Sequence, residues 1–226
     1  MSKKIENQEE VVVAEAVSKT ERFFEENGKK VVIALVVLLL LVAGGYAYKY
    51  LVMDKNEAAA AELIVAAQEH FSGETPNYDL ALNGDEAGAG FLAVADEYGA
   101  TKAGNLAKHY AGICYLHLGD LEKAAEYLAK YKAVRGLAAE VVNAQNLGLQ
   151  GDVAVEQGDY EKAVKFFKKA VAESENNFTT PLYLYKQGLA LAAAGKSVEA
   201  KACYKTITEK YPNSFEARDA EKLLGL

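Results

Sequence analysis

GDYEKAVKFFKKAV, from Gly158 to Val171, decides the fold, because two other stretches of the chain fall into register with it. GDLEKAAEYLAKYK runs from Gly119 to Lys132, and GKSVEAKACYKTIT runs from Gly195 to Thr208. With the leading glycines aligned, Leu121, Tyr160 and Ser197 coincide, as do Ala124, Ala163 and Ala200. Further along, Leu128, Phe167 and Tyr204 coincide, followed by Tyr131, Ala170 and Ile207. Seven residues upstream of each leading glycine stands another glycine: Gly112, Gly151 and Gly188.

This pattern has a physical reading. A glycine tolerates the left-handed conformation that ends a helix, so Gly119, Gly158 and Gly195 mark where a first helix stops. Gly112, Gly151 and Gly188 on the first helix, with Ala124, Ala163 and Ala200 on the second, let the two helices approach closely. Leu128, Phe167 and Tyr204 are expected to reach into the gap beside the next unit. Such hairpins cannot bury their apolar faces alone, so neighbours must stack into a continuous core. A stack of this kind offers a binding surface rather than a catalytic cleft.

The three copies resemble the tetratricopeptide repeat, a helix–turn–helix unit of about 34 residues. Their leading glycines lie 39 and 37 residues apart, so each connection carries a few extra residues. The expected fold class is all-α: a single N-terminal transmembrane helix, then a tetratricopeptide-repeat helical solenoid closed by a C-terminal capping helix.

The transmembrane reading rests on VVIALVVLLLLVAGGYAY, an uncharged run from Val31 to Tyr48. Crossing the hydrocarbon core takes about 20 predominantly apolar residues. The run reaches that length if Lys49 snorkels toward the headgroups beside Tyr46, Tyr48 and Tyr50. A cleaved signal peptide would have a shorter apolar run and a small-residue cleavage site. Here a long tail precedes the run and bulky residues follow it, which favours a signal anchor. Lys19, Arg22, Lys29 and Lys30 lie on the N-terminal side, against Lys49 and Lys55 on the other. Basic residues favour the cytoplasmic side. The N-terminus should therefore be cytoplasmic and the repeat domain translocated, which in a Gram-negative bacterium means a single pass through the bacterial inner membrane with a periplasmic repeat domain. Ala43, Gly44, Gly45 and Ala47 form a small-residue patch suited to packing against another membrane helix.

The remaining organisation follows from local signals. Residues 1–28 read as a cytoplasmic tail, with Val13, Val17 and Phe24 on one face of a short amphipathic helix and a break at Glu26-Asn27-Gly28. Residues 29–53 read as the anchor. Residues 54–104 read as a helical extension and a degenerate first repeat, with a long loop over 72–89 and one helical stretch from Phe91 to Gly112. Residues 105–226 read as three repeats plus a capping helix. Thr180-Pro181 suggests a helix cap followed by proline at the first helical position, and Phe215 to Leu224 reads as the final helix.

Charge narrows the function. The chain carries 25 basic and 32 acidic side chains, a net charge of −7. Residues 56–226 hold 17 of the basic and 24 of the acidic ones, so the domain lacks the basic patch a nucleic-acid partner would require. Cys114 and Cys203, the only cysteines, fall in different repeats and read as buried free thiols. His109 and His117 are two helical turns apart, unlike the one-turn pair of helical zinc sites. No metal, cofactor or catalytic constellation is expected, and the chain reads as a non-enzyme.

A tetratricopeptide stack presents its first helices on the concave side. By that resemblance the partner-binding groove would be lined by His109, Ile113, His117, Gln145, Asp152, Tyr185 and Leu189. Domains of this type that grip a carboxylate use Lys, Arg and Asn at set concave positions. This chain offers His109, Ile113 and Leu149 there, and only Lys186 matches, which argues against that ligand.

The tail, the anchor, the segment YDLALNGD (Tyr78–Asp85) with GFLAVADEYGATKAGNLAKHYAG (Gly90–Gly112), and the repeats together resemble the YfgM-like group of bacterial membrane proteins, Bacteroidetes type. That resemblance implies an ancillary subunit of the SecYEG translocon. Its partners would be the translocon, a membrane-anchored periplasmic chaperone of the prolyl-isomerase type, and exported clients handed over between them. An envelope scaffold in outer-membrane assembly or the Tol-Pal system is the alternative, although such proteins carry a lipidated cysteine that is missing after this apolar run. An organellar import receptor would need the opposite topology.

Overall fold

The computed structural model describes the backbone of residues 2–225 and the side chains from residue 23 onward, apart from 24, 137 and 138. The chain forms two compact units, Met1–Lys55 and Asn56–Leu226. Helix α1 spans Ser2–Tyr48 and passes into a π-helical turn, Lys49–Met53, where the Asp54 amide donates to the Lys49 carbonyl. Among the described residues, one helix is long and apolar enough to cross a membrane: Glu25–Ser72 contains a window of mean hydropathy 2.6 with none of it buried. Leu39, Leu40 and Leu41 are each about two-thirds exposed. Burying such a surface in lipid satisfies it, and the chain fits a single-pass membrane protein. Tyr46 and Tyr50 stack at 6.5 Å beside Lys49, the amphipathic arrangement favoured at headgroup level.

The expected break at Glu26-Asn27-Gly28 does not occur. Asn27 Nδ2 donates to the Phe23 carbonyl at 3.2 Å, and the helix continues through Gly28. A single glycine costs a helix only about 1 kcal/mol, which a long apolar helix absorbs. The face formed by Val13, Val17 and Phe24 lies outside the described side chains.

The second unit is helical throughout. Its elements are α2 (Asp54–Ser72), α3 (Tyr78–Asn83), α4 (Phe91–Glu97), α5 (Lys102–His117), α6 (Leu121–Lys130), α7 (Leu137–Glu156), α8 (Tyr160–Glu173), α9 (Thr179–Ala193), α10 (Ser197–Lys210) and α11 (Ala217–Leu224). Helices α5–α6, α7–α8 and α9–α10 form the three hairpins. One core joins α2 to α6 and takes in Val153 of α7. A second joins α7, α8 and α9, and a third joins α9, α10 and α11. Each core borrows from the next hairpin, as a repeat stack requires.

Every hairpin turn is built the same way. Gly119, Gly158 and Gly195 adopt φ of +81°, +75° and +77°. The amide after each glycine returns to a carbonyl of the preceding helix: Asp120 to Tyr115 at 2.9 Å, Asp159 to Ala154 at 2.8 Å and Lys196 to Leu191 at 2.8 Å. These bonds satisfy carbonyls that a helix end would leave orphaned. Asp120 and Asp159 then cap the second helices through the amides of Lys123 and Lys162, both at 3.0 Å. Lys196 cannot cap, and its ammonium pairs with Glu161 of the previous hairpin at 2.5 Å.

The upstream glycines are contact points. A Cβ on Gly112 would lie 2.6 Å from Leu128 Cγ, one on Gly151 would lie 2.5 Å from Phe167 Cε1, and one on Gly188 would lie 2.4 Å from Tyr204 Cε1. The large side chains therefore seat on the glycine of their own hairpin, which adds to the expectation that they reach only toward the next unit. Gly148 serves the contact between hairpins, since a Cβ there would lie 2.2 Å from Tyr183 Cε1.

Four local expectations are corrected. The loop over 72–89 contains α3, capped by Asn77 through the Leu80 amide at 3.1 Å, and a turn closed by the Gly84–Ala89 bridge. The stretch from Phe91 to Gly112 is broken into α4 and α5, because Thr101 caps α5 through the Gly104 amide and Gly104 packs on the Tyr98 carbonyl. Helix α9 starts at Thr179 rather than after Thr180, since Asn176 accepts the amides of Phe178 and Thr179 at 2.8 and 2.7 Å. Pro181 still falls in the first turn, where no amide is needed. Helix α11 starts at Ala217, leaving Phe215 91% exposed. Cys114 and Cys203 are both buried and free, and burial pushes the Cys114 thiol up to about 12.

Candidate functional site

The first helices α5, α7 and α9 form a row in which α7 touches both neighbours. Of the residues expected to line a groove along that row, two are corrected. His109 is 1% exposed and Ile113 is 7% exposed, so neither is available to a partner. Beside His109 lies the irregular connection after α6. Asn105 exchanges two hydrogen bonds with the backbone of Lys132, at 2.8 and 2.9 Å. Asn143 accepts the Val134 amide at 3.1 Å and the Tyr131 hydroxyl at 2.9 Å, and donates to the Val134 carbonyl at 2.9 Å. Two asparagines, one from α5 and one from α7, thus tie the Tyr131–Val134 strap down, with the Tyr131 ring 5.6 Å from that of His109.

His109 joins the hairpins from inside. Asn146 Nδ2 lies 3.1 Å from His109 Nδ1, and Gln150 fixes Asn146 by donating to its Oδ1 at 2.9 Å. With Nδ1 accepting, the ring proton sits on Nε2. Burial lowers the His109 pKa from 6.5 to about 4, opposed by a hydrogen bond that the ring makes to the Gln145 side chain. The fold therefore favours the neutral ring. That contribution is complete above the unfolded pKa and is lost as pH falls toward the folded value. Between about pH 7 and about pH 5 the loss should be roughly 2 kcal/mol, or a fall of roughly 4–8 °C in Tm. His109→Gln keeps a polar partner for Asn146 without titrating, so it should remove most of the difference in melting between those two pH values. An unchanged pH profile in the variant would assign the acid sensitivity elsewhere.

The other expected residues lie nearer the surface. Gln145, His117 and Leu189 are exposed, and Tyr185 is half-buried with its ring 6.0 Å from that of Tyr204. His117 stacks flat on Tyr78 of α3 at 4.1 Å, which ties its ring to the core of the first hairpin. Asp152 is held by Lys186 of α9 through contacts of 2.7 and 2.9 Å. Burial raises the Asp152 pKa, while the Lys186 charge and hydrogen bond oppose that rise and Glu156 adds to it.

Asp152 opens into a groove of about 580 Å³ lined by Leu116, Gly119, Leu121, Val155 and Glu156. It lies at the turn end of the first hairpin, against the last turn of α7. Reading the sequence brought only Asp152 to this place. The available signal for the rest was Asp152-x-x-Val155-Glu156, a carboxylate pair one helical turn apart with an apolar neighbour. Gly44 and Gly45, in the long apolar helix, meet no neighbouring atom that a Cβ would touch. Among the described residues, no group of three or more His, Cys, Asp or Glu is placed to hold a metal ion.

Residues 21–220 match the pattern of a family described as a tetratricopeptide repeat-like domain. No curated protein matches the chain.

Proposed function

The chain belongs to the tetratricopeptide repeat-like domain family, a protein–protein interaction scaffold, and from that premise we propose that it is a docking module at the SecYEG translocon. The reading places the N-terminus in the cytoplasm and the repeats in the periplasm of a bacterial inner membrane. There the repeats assist handover of exported proteins to a membrane-anchored chaperone of the prolyl-isomerase type.

The observation that carries this reading is the joining of a stacked hairpin domain to a single exposed apolar helix in one chain. The order of tail, apolar helix, YDLALNGD segment and repeats resembles that of the YfgM-like group, which supports the reading. The Lys and Arg count around the span supports the orientation. Gly44 and Gly45, exposed in the span, give a neighbouring membrane helix a close approach.

Crosslinking in native membranes, with partners identified by mass spectrometry, tests the reading. Recovery of SecY together with a periplasmic prolyl isomerase is the expected result. Recovery of outer-membrane assembly or Tol-Pal components in their place would replace the reading with that of an envelope scaffold.

A further inference from the structure

We propose that the groove between Leu116, Leu121, Val155, Asp152 and Glu156 is a subsite for a lysine or arginine side chain of an apolar, basic polypeptide segment. This inference rests on the docking reading and names the chemistry of the partner.

Three observations converge. The groove has an apolar wall, because Leu116, Leu121 and Val155 are only partly buried and face a space of about 580 Å³. The stem of a long basic side chain covers such a wall while its charged head stays polar. The head would meet two carboxylates, Asp152 and Glu156, one turn apart on α7. Only one of them has a cation: Lys186 bonds both oxygens of Asp152, while Glu156 makes no ion pair among the described residues.

Burial raises the Asp152 pKa, Lys186 opposes the rise, and the Glu156 charge adds to it, so the two carboxylates act on each other. One ammonium does not compensate both carboxylates, so a second cation entering beside Glu156 gains from each. A carboxylate-bearing segment would meet like charge in the same space. The overall balance points the same way, since the chain carries a net charge of −7. An arginine suits the site as well as a lysine, because its fork can bond Glu156 and the outer edge of Asp152 together.

The test uses the full chain in nanodiscs of zwitterionic lipid, with signal from empty discs subtracted. The probe is a fluorescent peptide of alternating lysine and leucine, compared with its counterpart carrying glutamate in place of lysine. The lysine peptide should bind, with affinity that falls as salt is added. Glu156→Gln should weaken it about three- to tenfold, and Glu156→Lys should abolish it. Glu156 is exposed, so both variants should keep the circular dichroism of the parent. Equal binding of the glutamate peptide, failure of the lysine peptide to bind, or parental affinity in Glu156→Lys would each overturn the inference. If Glu156→Lys keeps every crosslinked partner of the parent, the docking reading stands and the groove is not the contact it uses.

Discussion

Gly151→Val is expected to lose roughly 3 kcal/mol, a large share of the roughly 5–15 kcal/mol that holds a domain folded. The first atom of the new side chain would lie 2.5 Å from Phe167 Cε1 and 2.8 Å from Cδ1. Phe167 is 1% exposed and enclosed by Ala144, Ala163, Ala170 and Tyr183, so the ring has nowhere to retreat. Gly151→Ala is the milder form of the same change. It regains about 1 kcal/mol of helix propensity and still pays the collision.

The double variant Gly151→Ala/Phe167→Ala separates contact from propensity. An alanine removes the whole ring that the new methyl would strike, so the double variant should be more stable than the sum of the single losses predicts, by about 1 kcal/mol or more. Urea denaturation of the parent, both single variants and the pair measures this. Additive losses would mean that Phe167 does not seat on Gly151.

The second large effect concerns the membrane helix. Aspartate in place of Leu38 and Leu39 should release the protein from membranes. Each aspartate near the centre of a span costs about 2.5–3.5 kcal/mol on insertion scales. Both positions are more than half exposed in the helix, with no protein surface to shelter a carboxylate. Alkaline extraction should leave the parent in the membrane pellet and move the variant to the supernatant. A variant that stays in the pellet would show that attachment does not depend on this span.

The parts of the fold legible in the sequence are those whose chemistry is local. Gly119, Gly158 and Gly195 announce the hairpin turns because a left-handed residue at a helix end is a glycine far more often than anything else. The seating of Leu128, Phe167 and Tyr204 is nearly as visible, since each follows its glycine at the same interval of 16 residues. Helix α3 was hidden because it has only six residues, with turn-forming neighbours on both sides. Gly28 misled in the other direction, since one weak residue does not stop a helix that is favoured along its whole length.

The candidate site was less legible, and His109 shows why. A helical face states which side chains point one way, yet whether that side is open depends on what crosses it. Here an irregular strap crosses it, fastened by Asn105 and Asn143 through bonds that span 27 and 9 residues. No periodicity encodes such a strap. Asp152, near the end of α7, lies beyond the strap and beside the hairpin turn of the previous unit.

The glycine-and-ring contacts bear on how the chain becomes folded. Each joins residues 16 positions apart, and each closes a hairpin with material that is already adjacent in the chain. Low contact order of this kind lets structure form early and without long loop closures. The first hairpin, α5–α6, can make its own glycine contact while later ones are still being synthesised, and α7 then completes its core by bringing in Val153. Assembly can therefore advance in one direction, from the tethered end outward, keeping the length of exposed unfolded chain close to one repeat at any moment.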